Sequence, residues 1–223
     1  MPELLRCVEI EPEVPAERAV IWMHGLGASG HDFEPVVPHL GLAEAPGVRF
    51  VFPHAPAIPV TVNGGMVMRA WFDIDFQDNL PICDRGGVDR AHQHINALIE
   101  REHQRGINSE QIVIAGFSQG GAMALHIGLR HPERLAGIMA LSTALPFPEV
   151  VETERHEANL KTSIFLAHGA HDAVIEARHG VATRDLLAAI GHDVRWREYP
   201  MAHEVCGPEL EDIGSWLSSA LAP

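Results

Sequence analysis

Ser118 stands between two glycines in the run Gly116, Phe117, Ser118, Gln119, Gly120. A Gly-x-Ser-x-Gly pattern offers a serine hydroxyl as a nucleophile, provided a strand precedes it and a helix follows. A serine hydroxyl is a poor nucleophile at neutral pH, so it needs a general base within hydrogen-bond reach and a carboxylate that fixes the tautomer of that base. In open parallel sheets such groups gather beyond the carboxyl ends of strands. Asp172 follows the apolar run Ile164–Ala167, and His203 follows Val194–Tyr199. Asp193 and His192 lie at the wrong end of that second run, and Asp185 falls inside a helical pattern. Position therefore selects Asp172 as acid and, among 15 histidines, His203 as base. Attack on a carbonyl also needs donors for the developing oxyanion. The turn His24, Gly25, Leu26, Gly27 brings backbone close to a substrate oxygen, and the backbone N–H groups of Leu26 and Gln119 are the expected donors.

These residues need elements to hold them. Ile112–Ala115 reads as a buried strand leading into the serine, and Gln119–Arg130 as the helix after it. Further strand-length apolar runs are Ala19–Met23, Val48–Phe52, Leu135–Leu141, Ile164–Ala167 and Val194–Tyr199, with an antiparallel edge strand expected within Leu4–Ile10. Helical spacing recurs over Gly87–Arg105, Glu176–Ile190 and Pro208–Ala220. Strands alternating with helices predict an α/β fold with a mostly parallel sheet covered on both faces, as a single domain over 1–223. Pro53–Arg85 interrupts the alternation. It reads as a long loop whose Ile58, Val60, Met66, Val67, Met68, Trp71, Phe72 and Ile74 need either a surface to cover or a ligand to contact.

Composition limits the function classes. A formal net charge of −14 argues against nucleic acid and anionic membranes as partners. Three dispersed cysteines, Cys7, Cys83 and Cys206, do not form a disulfide framework and fit a reducing compartment. Neither a signal segment nor a spanning apolar run is visible, so the expectation is a cytoplasmic protein without a stable membrane anchor. His92 and His94 lie two positions apart, on different faces of a helix, with no third metal ligand at a recognisable spacing. Gly25, Gly27 and Gly30 match a dinucleotide fingerprint only loosely.

The chain resembles the phospholipase/carboxylesterase family, which includes the acyl-protein thioesterases. The likeness rests on His24-Gly25-Leu26-Gly27, Phe52 to Pro56, Pro59 to Thr61 with Asn63 and Gly64, Ala70 to Asp73, Gly116 to Gly121, His168-Gly169 with Asp172, and Tyr199 to His203. It spans nearly the whole length. The chain order Ser118, Asp172, His203 is that of nucleophile, acid and base in α/β-hydrolases. The resemblance implies a compact, largely lidless α/β-hydrolase that cleaves esters or acyl thioesters without a cofactor or metal. It implies Ser118, Asp172 and His203 as triad, and an acyl groove near Trp71 with Gly25 and Leu145 as further substrate contacts. Two departures touch the groove wall: Val174, Ile175, Glu176 where relatives often carry proline, and Thr143, Ala144 where many have glycine. The acyl donor is left open between a small ester, a lysolipid and an acylated protein, and the apolar Ile58–Ile74 segment suits a homodimer contact as well as a substrate. Two rival readings keep the same residues: a non-catalytic hydrolase-fold binding protein, and a peptidase or acyltransferase.

Overall fold

The computed structural model describes residues 3–42, 47–77 and 80–222. Residues 78 and 79 of the Pro53–Arg85 segment, and the outermost residues of the expected 1–223 domain, lie outside the described residues. The edge strand expected near the N-terminus is β1 (Cys7–Ile10), followed by β2 (Arg18–Met23) and β3 (Val48–Pro53). Four short strands come next: β4 (Ala57–Val60), β5 (Met66–Arg69), β6 (Ile74–Gln77) and β7 (Leu80–Cys83). The remainder alternates: α1 (Arg85–Gln104), β8 (Ile112–Phe117), α2 (Gln119–Arg130), β9 (Gly137–Leu141), α3 (Val151–Glu154), β10 (Ser163–Gly169), α4 (Ala177–Ala189), β11 (Val194–Tyr199) and α5 (Gly207–Ala220).

Seven strands form one sheet in the order β1-β3-β2-β8-β9-β10-β11. Neighbours are parallel except β1, which pairs antiparallel with β3. Side chains alternate across the sheet. Ala19, Ile21 and Met23 of β2 pack with α1 and α2, whereas Val20 and Trp22 face the layer that contains Ile213, Trp216 and Leu217 of α5. Helix α2 has both flanks covered: Met123 and Ile127 join the α1 side, while Leu125 and Leu129 pack with Ile164 and Leu166 of β10 and Leu187 of α4. Truncating one such residue to alanine costs about 2–5 kcal/mol, so strand β8 and helix α2 form a rigid mount for what lies between them.

Two readings of the sequence change. Pro53–Arg85 is not one long loop: β4 pairs with β5 and β6 with β7, giving two antiparallel hairpins outside the main sheet. Strand β9 starts at Gly137 rather than Leu135, because the Leu135 amide donates to the Asn159 side chain and that of Ala136 reaches across to the Ile112 carbonyl. Charge is buried at the far end of the sheet. There Glu102, fully enclosed, receives Arg49, Arg101 and Arg105 at 2.7–3.1 Å.

Candidate active site

Ser118 sits at the corner between β8, the central strand, and α2, with φ 54° and ψ −120°. A non-glycine residue held there stores about 1–3 kcal/mol of strain. The glycines around it have a measurable reason. A Cβ on Gly116 would lie 2.1 Å from the Gly120 carbonyl carbon and oxygen, and one on Gly120 would lie 2.3 Å from the Met23 carbonyl oxygen. The Ser118 amide donates to Leu141 O at 2.8 Å, which ties the corner to β9.

Three strand ends converge on the hydroxyl. Ser118 Oγ donates to His203 Nε2 at 2.9 Å, and His203 Nδ1 donates to Asp172 Oδ2 at 2.6 Å. A carboxylate only accepts, so its contact fixes the proton on Nδ1 and leaves Nε2 free to take the serine proton. The other oxygen, Asp172 Oδ1, accepts from the Val174 and Ile175 amides at 2.8 Å each. The loops after β10 and β11 are stitched by Ala170 N to Tyr199 O and His171 N to Met201 O, at 2.8 and 3.0 Å. Gly169 allows this approach, since a Cβ there would lie 2.2 Å from the Ala202 carbonyl oxygen. Buried His168 closes the Asp172 loop by donating from Nε2 to Ile175 O at 2.7 Å. The Phe117 ring, 4.8 Å from the His203 imidazole between centroids, limits its swing.

The donors expected for an oxyanion flank the hydroxyl. Gln119 is the first residue of α2, and its N–H has no intrahelical acceptor. Ser118 makes no side-chain cap because its hydroxyl is engaged with His203, so the positive end of the helix dipole stays open toward the site. Leu26 follows Gly25, where a Cβ would stand 3.4 Å from Ser118 Cβ. Among the described residues no protein acceptor meets the Leu26 N–H.

A cavity of about 1220 Å³ opens from Ser118 and His203. Gly25 and Leu145 line it, together with Leu26, Phe72, Ile74, Phe147, Ala182 and Leu186. Three large apolar residues at its edge, Val62, Ile82 and Val174, are exposed. Phe147 is braced from behind by the Arg85 guanidinium, 4.8 Å from its ring centroid, and by the edge of His126. Arg85 is in turn paired with Glu154 at 2.9 Å.

Trp71 is the exception among the expected contacts. It is buried behind the cavity and its indole N–H donates to His24 O at 2.8 Å, so it braces the His24–Gly27 turn instead of lining the cavity. The Gln119 side chain serves the same region, accepting from Trp71 N and donating to Phe72 O, both at 2.8 Å. Sequence reasoning also missed the Asp172 amide cradle and the cavity wall supplied by α4, whereas the Pro53–Arg85 segment, read as needing a surface or a ligand, contributes Phe72 and Ile74 to the lining. An Asx-type turn after Asp172 was the available signal for the first. His92 and His94 do diverge: His92 meets His126 edge-on, and His94 reaches the Glu3 carbonyl.

A family model described as Phospholipase/Carboxylesterase matches residues 6–221. Acyl-protein thioesterase 1 of Neurospora crassa is 40% identical over 213 residues, 91% of this chain and 86% of that one. The crystal structure of Arabidopsis thaliana SOBER1, a protein named as a carboxylesterase, superposes with a TM-score of 0.86 at 35% identity, covering 92% of this chain and 100% of that chain. Acyl-protein thioesterase 2 of Zea mays gives 0.85 at 26% identity, covering 97% and 99%. The chain is an α/β-hydrolase belonging to the phospholipase/carboxylesterase family, a serine hydrolase of esters or thioesters.

Proposed function

We propose that this enzyme transfers the acyl group of an apolar-chain ester or thioester to Ser118 and then to water. The single observation carrying this reading is the unbroken Ser118–His203–Asp172 relay, 2.9 and 2.6 Å, at the floor of a mostly apolar cavity. His203 takes the serine proton as Oγ bonds to the carbonyl carbon. The Leu26 and Gln119 amides hold the oxyanion, and the protonated imidazole gives its proton to the departing alcohol or thiol. Water then repeats the two steps on the acyl-enzyme. Asp172 orients the imidazole and stabilises its charge, which is the division of roles such triads adopt. A pocket of this volume is larger than the usual 300–1,000 Å³ of small-ligand sites, and its apolar walls favour an alkyl chain over a charged one.

The test is a p-nitrophenyl ester series from two to twelve carbons, repeated with acyl thioesters. Each methylene buried in the cavity contributes about 0.8 kcal/mol, so kcat/KM should rise about fourfold per CH₂ until the chain outgrows the walls. A maximum at two to four carbons would exclude an apolar-chain substrate.

A further inference from the structure

His24 lies outside the triad, yet both of its ring nitrogens are committed. Nε2 accepts the Ala55 amide at 3.1 Å, which requires the ring proton to sit on Nδ1, and Nδ1 donates to Gly25 O at 2.7 Å. The ring is buried, and burial pushes its pKa down to about 4, so it stays neutral and keeps this pattern at physiological pH. The Gly25 carbonyl belongs to the same peptide as the Leu26 N–H. In a trans peptide these two groups point in opposite directions, and no cis peptide occurs among the described residues. Fixing the carbonyl therefore aims the N–H. A second donor, the Ala28 amide, also reaches Gly25 O at 3.2 Å and closes a tight turn with Gly27 at φ 78°. That bond is longer and local to the turn. The imidazole bond is shorter and anchors the peptide to the strand-end segment at Ala55. On the other side, the His24 carbonyl is held by the Trp71 indole and would lie 2.6 Å from a Cβ at Gly120.

We infer that His24 is a positioning residue for the oxyanion hole: its Nδ1–H clamps the Gly25 carbonyl so that the Leu26 N–H faces the oxygen developing on a substrate at Ser118. The inference rests on the proposed role of Ser118 as nucleophile. It separates two conservative variants. His24→Asn places an amide N–H where Nδ1 stands and preserves the clamp while losing the acceptor for Ala55. His24→Gln reaches toward Ala55 and loses the donor to Gly25. Removing an oxyanion donor lowers kcat by about 10²–10³-fold. His24→Gln is expected to lose about 30–300-fold in kcat on p-nitrophenyl butyrate with KM within threefold of wild type, and His24→Asn to stay within tenfold in kcat. Inhibition by 1,1,1-trifluoro-2-octanone, which adds to the serine as an oxyanion, should weaken in His24→Gln in parallel with kcat. Binding of 2-octanone, its non-adding counterpart, should hold.

A purely structural role predicts instead that both variants lose activity in proportion to lost melting temperature, and that result overturns the inference, as does full kcat in His24→Gln. Should His24→Gln fail to fold, a folded His24→Asn that has lost 100-fold or more in kcat is equally fatal, and ¹⁵N imidazole shifts of the wild type showing the proton on Nε2 would be too. A fluorophosphonate probe run to completion keeps the two ideas apart. Absence of label on Ser118 in the wild type removes the nucleophile assignment, whereas full labelling beside an unimpaired His24→Gln removes only the role of His24.

Discussion

Replacing Ser118 with glycine is expected to leave the protein more stable than replacing it with alanine, although both variants lose activity. The φ of 54° and ψ of −120° place Ser118 in a region that residues with a Cβ occupy at a cost of about 1–3 kcal/mol. Alanine keeps that Cβ and its strain; glycine does not. Both substitutions delete the same hydrogen bond to His203, worth about 1 kcal/mol net, so it cancels in the comparison. Glycine regains about 0.4–1 kcal/mol of freedom in the unfolded chain, which subtracts from the relief. The balance is about 1 kcal/mol in favour of glycine. For a chain of this length that is a melting temperature roughly 2–4 °C higher. Differential scanning calorimetry of the two variants at one pH reads the difference directly. An alanine variant that melts at or above the glycine variant would refute the claim that Ser118 is held under backbone strain.

Two further outcomes follow from single carboxyl groups. Asp172→Asn should fold but lose about 10⁴-fold in kcat, because one amide oxygen cannot serve the Val174 and Ile175 amides and His203 Nδ1–H together. With the oxygen kept on the amides, its NH₂ faces His203 and drives the proton to Nε2; activity within tenfold of wild type would contradict this. Glu209 sits fully buried in the first turn of α5, and burial pushes its carboxyl up to about 8 from 4.5. Between those values the folded chain keeps a proton that the unfolded chain has released, so stability falls as pH rises through the window. The whole effect is on the order of 5 kcal/mol. Glu209→Gln should therefore gain melting temperature over wild type progressively from pH 5 to 8, and a constant difference across that range would rule it out.

The convergence of Ser118, His203 and Asp172 was legible in the sequence because strand ends are. Asp172 follows a run of apolar residues and His203 follows Val194–Tyr199, which alternates apolar with charged side chains up to Glu198, and the parallel-sheet rule needs nothing more to put them beside Ser118. Gly116 and Gly120 were legible for the same reason: a strand-to-helix corner forces backbone onto backbone, and a missing Cβ records it. Trp71 was not. An indole in an apolar segment reads alike whether it lines a cavity or braces a turn, and the difference is one N–H meeting the His24 carbonyl 47 residues away. The two hairpins hid for another reason, since strands of four residues broken by proline and glycine carry too few alternations to declare a period. His24 shows the limit most clearly. Its type and its place after β2 were visible, but the commitment of each nitrogen depends on Ala55, brought beside it by β3 lying parallel to β2.

The proposed mechanism requires a covalent intermediate at one residue. Rapid mixing with excess p-nitrophenyl ester, acid quench and peptide mass mapping should find a p-nitrophenol burst of one equivalent per chain and the acyl group on the peptide that carries Ser118. Ser118→Ala should show neither. An acyl group on another residue, or a Ser118→Ala variant that still bursts, would contradict the mechanism.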